Sequence, residues 1–166
     1  MEQLWISSAE QKETNITSCA FTGHRTLEEG ITKERVINAV EQLIQLGAKT
    51  FYNGVAMGFD LLAAEAVIAL KGRYSDIKLV VCIPCYGQEK NFSAEDKQRY
   101  VDIVKAADEQ VMMSAYYYRG CMQVRDRYMV DRADVVLAYC IKSTGGAAFT
   151  VGYCKKRYPD KPIYYL

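Results

Sequence analysis

From residue 17 to Leu166 the chain alternates short apolar runs with longer amphipathic stretches, and this beat constrains the fold more than any other feature. Thr17 to Thr22 reads as a short buried strand ending in Gly23. A helix follows, with Val36, Ile37, Val40, Leu43 and Ile44 on one face, Thr32 as N-cap and Gly47 as its stop. Lys49 to Asn53 is the second strand, and Asp60 to Leu70 an Ala/Leu-rich helix behind the turn from Gly54 to Gly58. Lys78 to Ile83 (KLVVCI) is a continuous apolar run of the kind buried on both faces, and it stops at Pro84. Ser93 and Asp96 have capping-box spacing and open a helix through Tyr100, Ile103, Val104 and Ala107. A strand at 110–114, a helix at 122–133, a strand at 134–140, a helix at 145–156 and a strand at 162–166 complete the pattern.

Strands separated by helices of this length require parallel crossovers. The pattern predicts an α/β fold, a three-layer Rossmann-like sandwich with a mainly parallel sheet of about six strands. Residues 1–16 read as an N-terminal extension and residues 17–166 as a single domain, with no linker, repeat or low-complexity tract.

Composition narrows the function. At 166 residues the chain supports one substantial core. Its formal net charge is +1, which gives no support to non-specific nucleic-acid binding, so nucleic acid is not the expected partner. No apolar run approaches the ~20 residues of a membrane span, and the first residues lack the pattern of a signal peptide. Six cysteines lie mostly inside apolar segments, which points to reduced thiols and a cytoplasmic protein. One histidine makes a His-rich zinc site untenable, and no metal is expected.

In an open parallel sheet, ligands bind beyond the carboxyl ends of the strands, where helix N-termini converge. Thr22, Gly23, His24 and Arg25 follow the first strand, and the loop with Gly54, Ala56, Met57, Gly58 and Asp60 follows the second. Pro84 ends the third, and Ser143 with Thr144, Gly145, Gly146 and Ala147 follows the fifth. Glycine permits close backbone approach, and a helix N-terminus offers free N–H groups to a phosphate. Neither glycine loop is a Walker A or a complete G-x-G-x-x-G motif. Glycines also serve βα turns alone; two such loops on one predicted edge favour binding.

Arg25 has the bidentate geometry a phosphate needs. Arg125 stands near the same edge at the start of a helix whose remaining charges, Arg127 and Arg132 among them, read as a solvated, paired face. Cys82 and Cys85 form a C-x-x-C, but the first cysteine ends a strand and no helix is expected before Ser93, against a redox pair. The Tyr116–Arg119 run suits base stacking or, more commonly, a loop or subunit contact.

Taken in order, CAFTGHR (19–25), GVAMGFDLLAAE (54–65), IPCYGQ (83–88), VRDRYMVDRADVVLAYC (124–140) and TGGAAFTVGYCKK (144–156) resemble the YpsA-like family of the SLOG superfamily, close to its YoqJ-like bacterial and prophage members. The resemblance implies a Rossmann-like fold, a nucleotide or nucleotide-derived ligand with no further cofactor, and self-association as a homodimer or larger homo-oligomer. SLOG relatives include LOG-type phosphoribohydrolases, nucleotide-signal sensors and the DNA-binding protein DprA. The LOG enzymes carry P-G-G-x-G-T-x-x-E with a catalytic glutamate. Gly145 and Gly146 match its paired glycines, but Ala148 takes the next glycine position and Gly152 the glutamate position. Arg125 matches the arginine those enzymes place near their substrate. Binding without turnover is therefore the leading expectation. A nucleotide hydrolase using Asp60 or Asp126, and a DprA-like single-stranded DNA binder, are the alternatives.

Overall fold

Apolar side chains that switch faces at every residue dictate a sheet covered on both sides. In the computed structural model, which describes residues 16–166, β1 (Ser18–Gly23) sends Cys19 and Phe21 to one face and Ala20 to the other. The expected extension over residues 1–16 lies, apart from Ile16, outside the described residues, and Ile16 itself is buried in the core. β3 (Lys78–Ile83) places Leu79, Val81 and Ile83 with Phe21 and turns Val80 and Cys82 away; β5 (Val135–Tyr139) divides its side chains in the same way.

The sheet has six strands in the order β4-β3-β2-β1-β5-β6, with β2 at Thr50–Asn53, β4 at Glu109–Met112 and β6 at Ile163–Tyr165. Every pairing is parallel, so the sheet is wholly rather than mainly parallel. The larger core cluster gathers residues of α1 (Lys33–Gln45), α2 (Phe59–Leu70) and α3 (Ala94–Ala106) on one face. Against the other face lie α4 (Cys121–Arg132) and α5 (Gly146–Arg157). After β4 the chain crosses back over the sheet, so β1 and β5 are neighbours whose connections leave in opposite directions. That reversal is the topological switch point.

Local chemistry explains the boundaries. Thr32 and Ser93 cap α1 and α3 by accepting from the N–H groups of Arg35 and Asp96. The capping box at Ser93 is half made, because the Asp96 carboxylate turns to Arg99 at 3.0 Å. At the start of β1, Asp134 accepts from Thr17 N and Oγ1, both at 2.8 Å, and from Ser18 N at 3.1 Å.

Two expectations need correction. A 3-10 turn, Gln88–Asn91, precedes α3 in the stretch read as plain loop; Gly87, at φ 81°, admits the reversal that starts it. Among the described residues the charged face of α4 holds no i,i+4 ion pairs. Arg132 lies over the Tyr128 ring at 3.5 Å and Arg127 over Phe149 at 5.9 Å, while Asp131 accepts from the hydroxyls of Tyr153 and Tyr158. No described helix is long and apolar enough to cross a membrane.

Candidate functional site

A cavity of about 580 Å³ opens at the switch point, above the carboxyl ends of β1, β2 and β5. From the end of β1 and the residues after it the cavity takes Thr22, Gly23, His24 and Arg25; from the β2–α2 loop, Ala56 and Met57, and from the first turn of α2, Asp60. Thr144, Gly145, Gly146 and Ala147 enter from the β5–α5 loop, and Arg125 with Asp126 from α4. The volume is in the range of small-molecule sites.

The start of α5 borders the cavity. Gly145 takes the N-cap position at φ 97°, and no side chain caps the helix. A Cβ built on Gly146 meets nothing within 4 Å, and Gly145, Gly146 and Ala147 line the cavity at the start of a helix whose first N–H groups have no intrahelical acceptor. Arg25 and Lys142 stand exposed on the same lining, and neither enters an ion pair among the described residues.

Arg125 is more constrained than its sequence position suggests. It is only 4% exposed. Its Nη1 donates to the Gly54 carbonyl at 2.5 Å and the Cys82 carbonyl at 3.2 Å, and its Nε to Asp126 Oδ1 at 2.7 Å. One guanidinium thus closes the ends of β2 and β3, leaving Nη2 as the nitrogen for which no hydrogen bond is made among the described residues. Gly54 exists to let it pass: a Cβ there would stand 2.6 Å from Nη1.

The loop that Gly54 begins is held from both ends. Asn53 donates through Nδ2 to the Asp60 carbonyl at 2.8 Å and accepts from Val55 N at 2.7 Å. Val55 is forced to φ 47°, an outlier for a β-branched residue. Gly58 packs against β1's loop: Phe59 N donates to the His24 carbonyl, and a Cβ on Gly58 would come within 2.3 Å of the Arg25 carbonyl oxygen. Gly54, Gly58 and the buried Pro84 therefore stand outside the cavity lining, as parts of the frame that shapes it.

Asp60 sits in the first turn of α2, 6% exposed. Its Oδ2 accepts from Ala56 N at 3.3 Å, and its Oδ1 is buried without a partner. Burial pushes its carboxyl up to about 7; Arg125 opposes the rise and Asp126 adds to it. His24 lines the cavity and makes its polar contacts with the loop after β5. Its Nε2 accepts from the N–H groups of Ile141 at 2.8 Å and Lys142 at 3.2 Å, which requires the neutral ring. Burial, and then the Lys142 charge, lower its pKa. The ring ties β1 to the loop leading into Gly145.

Gln88, Asn91 and Phe92, delivered by the 3-10 turn, also line the cavity, with Met122 from α4 and Lys142 after β5. Gln88 donates through Nε2 to the Gly54 carbonyl at 2.9 Å, and its Oε1 is buried without a partner. The signal that leads to it is the glycine at 87, which ends the loop in a left-handed turn.

The C-x-x-C gains no redox character. All six cysteines are free. Burial raises the Cys82 thiol to about 12, and burial followed by neighbouring Cys121 raises that of Cys85, the reverse of what a reactive pair needs. Among the described residues no cluster of His, Cys, Asp or Glu is placed to hold a metal.

Comparison with known proteins agrees with this frame. The YpsA sequence model, described as YspA SLOG family, matches residues 19–164. The chain is 26% identical over 162 residues to the UPF0398 protein YpsA of Bacillus subtilis (strain 168), covering 89% of this chain and 90% of that protein. It is 30% identical over 147 residues to the SPbeta prophage-derived protein YoqJ of the same strain, covering 81% and 86%. Among solved structures it is similar to DNA processing protein A from Helicobacter pylori, with a TM-score of 0.65 and 18% identity over 96% of this chain and 69% of that one. That protein has a single-stranded DNA binding mode, which does not fit the expectation drawn from net charge, although at this identity the likeness speaks for the fold alone. With a family match across nearly the whole described chain and a Rossmann-like sheet beneath it, this protein belongs to the YpsA family of SLOG proteins.

Proposed function

We propose that this chain binds a phosphate-bearing nucleotide or nucleotide-derived molecule in the switch-point cavity, and that it senses or sequesters that molecule without turning it over. The observation that carries the reading is the uncapped start of α5, with Gly145 and Gly146 bare toward the cavity and Arg25 and Lys142 unpaired beside it. Free N–H groups, a positive helix end and two cations are the ordinary requirements for a phosphate. Membership in a SLOG family supports a nucleotide-related ligand. The position of the LOG-type catalytic glutamate falls on Gly152, exposed on α5, and supplies no carboxylate.

Thermal shift with nucleotides, dinucleotides and cyclic derivatives tests the proposal, since ligand binding to the native state must raise stability. No shift at millimolar ligand refutes it.

A second reading, hydrolysis of the nucleotide, has one observation in its favour. A buried carboxyl titrating near 7, as Asp60 does, is suited to general acid–base work at neutral pH. Chromatography of the same panel after incubation separates the two. Turnover that disappears in Asp60→Asn establishes the enzyme; unchanged nucleotides leave the binding module. A gel shift with single-stranded DNA at two salt concentrations tests the DprA-like alternative, because phosphate-driven binding weakens steeply with salt.

A further inference from the structure

Residues 141–146 carry the chain from β5 into the start of α5, and every one of them is exposed, so none is held by burial. Among the described residues, two hydrogen bonds tie residues 141–144 to the body of the fold. Both end on His24 Nε2, from Ile141 N at 2.8 Å and from Lys142 N at 3.2 Å. The histidine itself is firmly placed. Its N–H donates to the Tyr139 carbonyl at 3.2 Å, its carbonyl accepts from Phe59 N at 3.1 Å, and its ring meets that of Tyr139 edge-on at 5.4 Å between centroids. The position of the loop is thus set by one lone pair on a fixed ring.

That lone pair is the one a proton takes. A neutral imidazole has one acceptor nitrogen, and the imidazolium has none. With a proton on Nε2, three N–H groups converge where one acceptor stood, and ring and loop have to part. We propose that His24 is a positioning residue that makes the anion site proton-sensitive: the neutral ring holds residues 141–144 in place for binding at the start of α5, and protonation of Nε2 frees them and releases the anion. The inference rests on the reading that an anion docks there beside Lys142, and adds how its occupancy is regulated. Burial, and then the Lys142 charge, lower the pKa of the ring, so the holding form prevails at neutral pH.

The sign is the reverse of ordinary electrostatics. Around the ring stand Lys142 from the β5–α5 loop, Arg25 next to it in the chain and Tyr139 from β5; Asp60 of α2 and Arg125 with Asp126 of α4 share the cavity lining. Acidification can only add positive charge to this set or remove negative charge from it, and either change favours an anion. Binding that weakens in acid therefore reports the loop and not the charge.

A proton and an anion that exclude each other must each lower the other's affinity by the same factor. His24 is the only histidine in the sequence, so its ring signal in proton NMR of the untagged full chain needs no assignment. The ring is titrated with and without sulfate, an anion that does not itself titrate between pH 5 and 8, with chloride matching the ionic strength. Sulfate is expected to lower the pKa of the ring further. By calorimetry its dissociation constant should rise about fivefold or more from pH 8 to pH 5, the lower end of ordinary couplings. In His24→Gln, whose amide oxygen accepts without titrating, the weakening in acid is absent. Sulfate that binds while the pKa of the ring rises or stays where it was overturns the inference and leaves the proposed function standing. Weakening that persists in His24→Gln does the same. Should that variant fail to fold or to bind, the direction of the NMR shift in the parent decides alone. Sulfate that binds at neither pH removes both readings.

Discussion

Asp60 ties stability to pH in a way that can be worked from its surroundings. An aspartate normally titrates near 3.8, and burial here raises it to about 7. The native state then holds a proton that the unfolded chain has already released between these values. Stability is fully present below about 4 and falls as the pH rises through 7, because ionising a buried carboxyl is easier in the unfolded chain. The gap corresponds to roughly 4 kcal/mol as an upper bound, reached when Asp60 is ionised in both states. Asp60→Asn keeps an oxygen for Ala56 N and removes the ionisation. Urea unfolding of both proteins at pH 5, 6, 7 and 8 provides the comparison. The variant is expected to be about 1 kcal/mol less stable than the parent at pH 5, where a protonated carboxyl is well tolerated. At pH 8 it becomes more stable by about 2 kcal/mol or more, the ionisation penalty being gone. A difference that stays constant across the four pH values refutes the reasoning, since no group but Asp60 distinguishes the two chains.

Three further outcomes follow from the geometry. Gly146→Asp has space for its side chain and suits the first turn of a helix, so Tm is unchanged or raised; phosphate binding by calorimetry is lost, because the carboxylate occupies the anion site. Gly54→Ala drives a Cβ to 2.6 Å from the Arg125 guanidinium, and urea unfolding should register a loss of about 1–3 kcal/mol. His24→Leu strands the N–H groups of Ile141 and Lys142 and costs about 1–3 kcal/mol by the same measurement. In the parent, the His24 ring should titrate below its ordinary 6.5 by NMR, and its contribution to stability, present above that value, should vanish as the pH falls through its native pKa.

The alternation of apolar runs was enough to place every strand, because a residue such as Val80 or Val136 must be covered on its own face of the sheet. It was not enough to order them. Nothing local in DVVLAYC says that β5 lies beside β1, and the cavity exists because of that adjacency. The glycines and hydroxyls after β1, β2 and β5 were legible as one edge, since strand ends in a parallel sheet share a side. Their division of labour was not. Gly54 and Gly146 look alike in sequence, yet one makes room for a guanidinium and the other faces open space. Arg125 stood among other charges on α4, and only tertiary packing shows that its Nη1 serves backbone carbonyls. Gln88 was passed over because a short 3-10 turn has no periodicity to announce it.

The Gly54 carbonyl has a consequence for how this cavity can recognise what enters it. A carbonyl oxygen has two lone pairs, and here Arg125 and Gln88 occupy both. The backbone at the end of β2 is therefore chemically silent toward whatever enters the cavity. Recognition at this wall is delegated to side chains, which a single codon can replace, rather than to main chain, which none can. A variant that keeps Gly54 and Arg125 keeps this scaffold, so substitution at 60 or 88 is expected to alter what the wall presents while leaving its backbone in place.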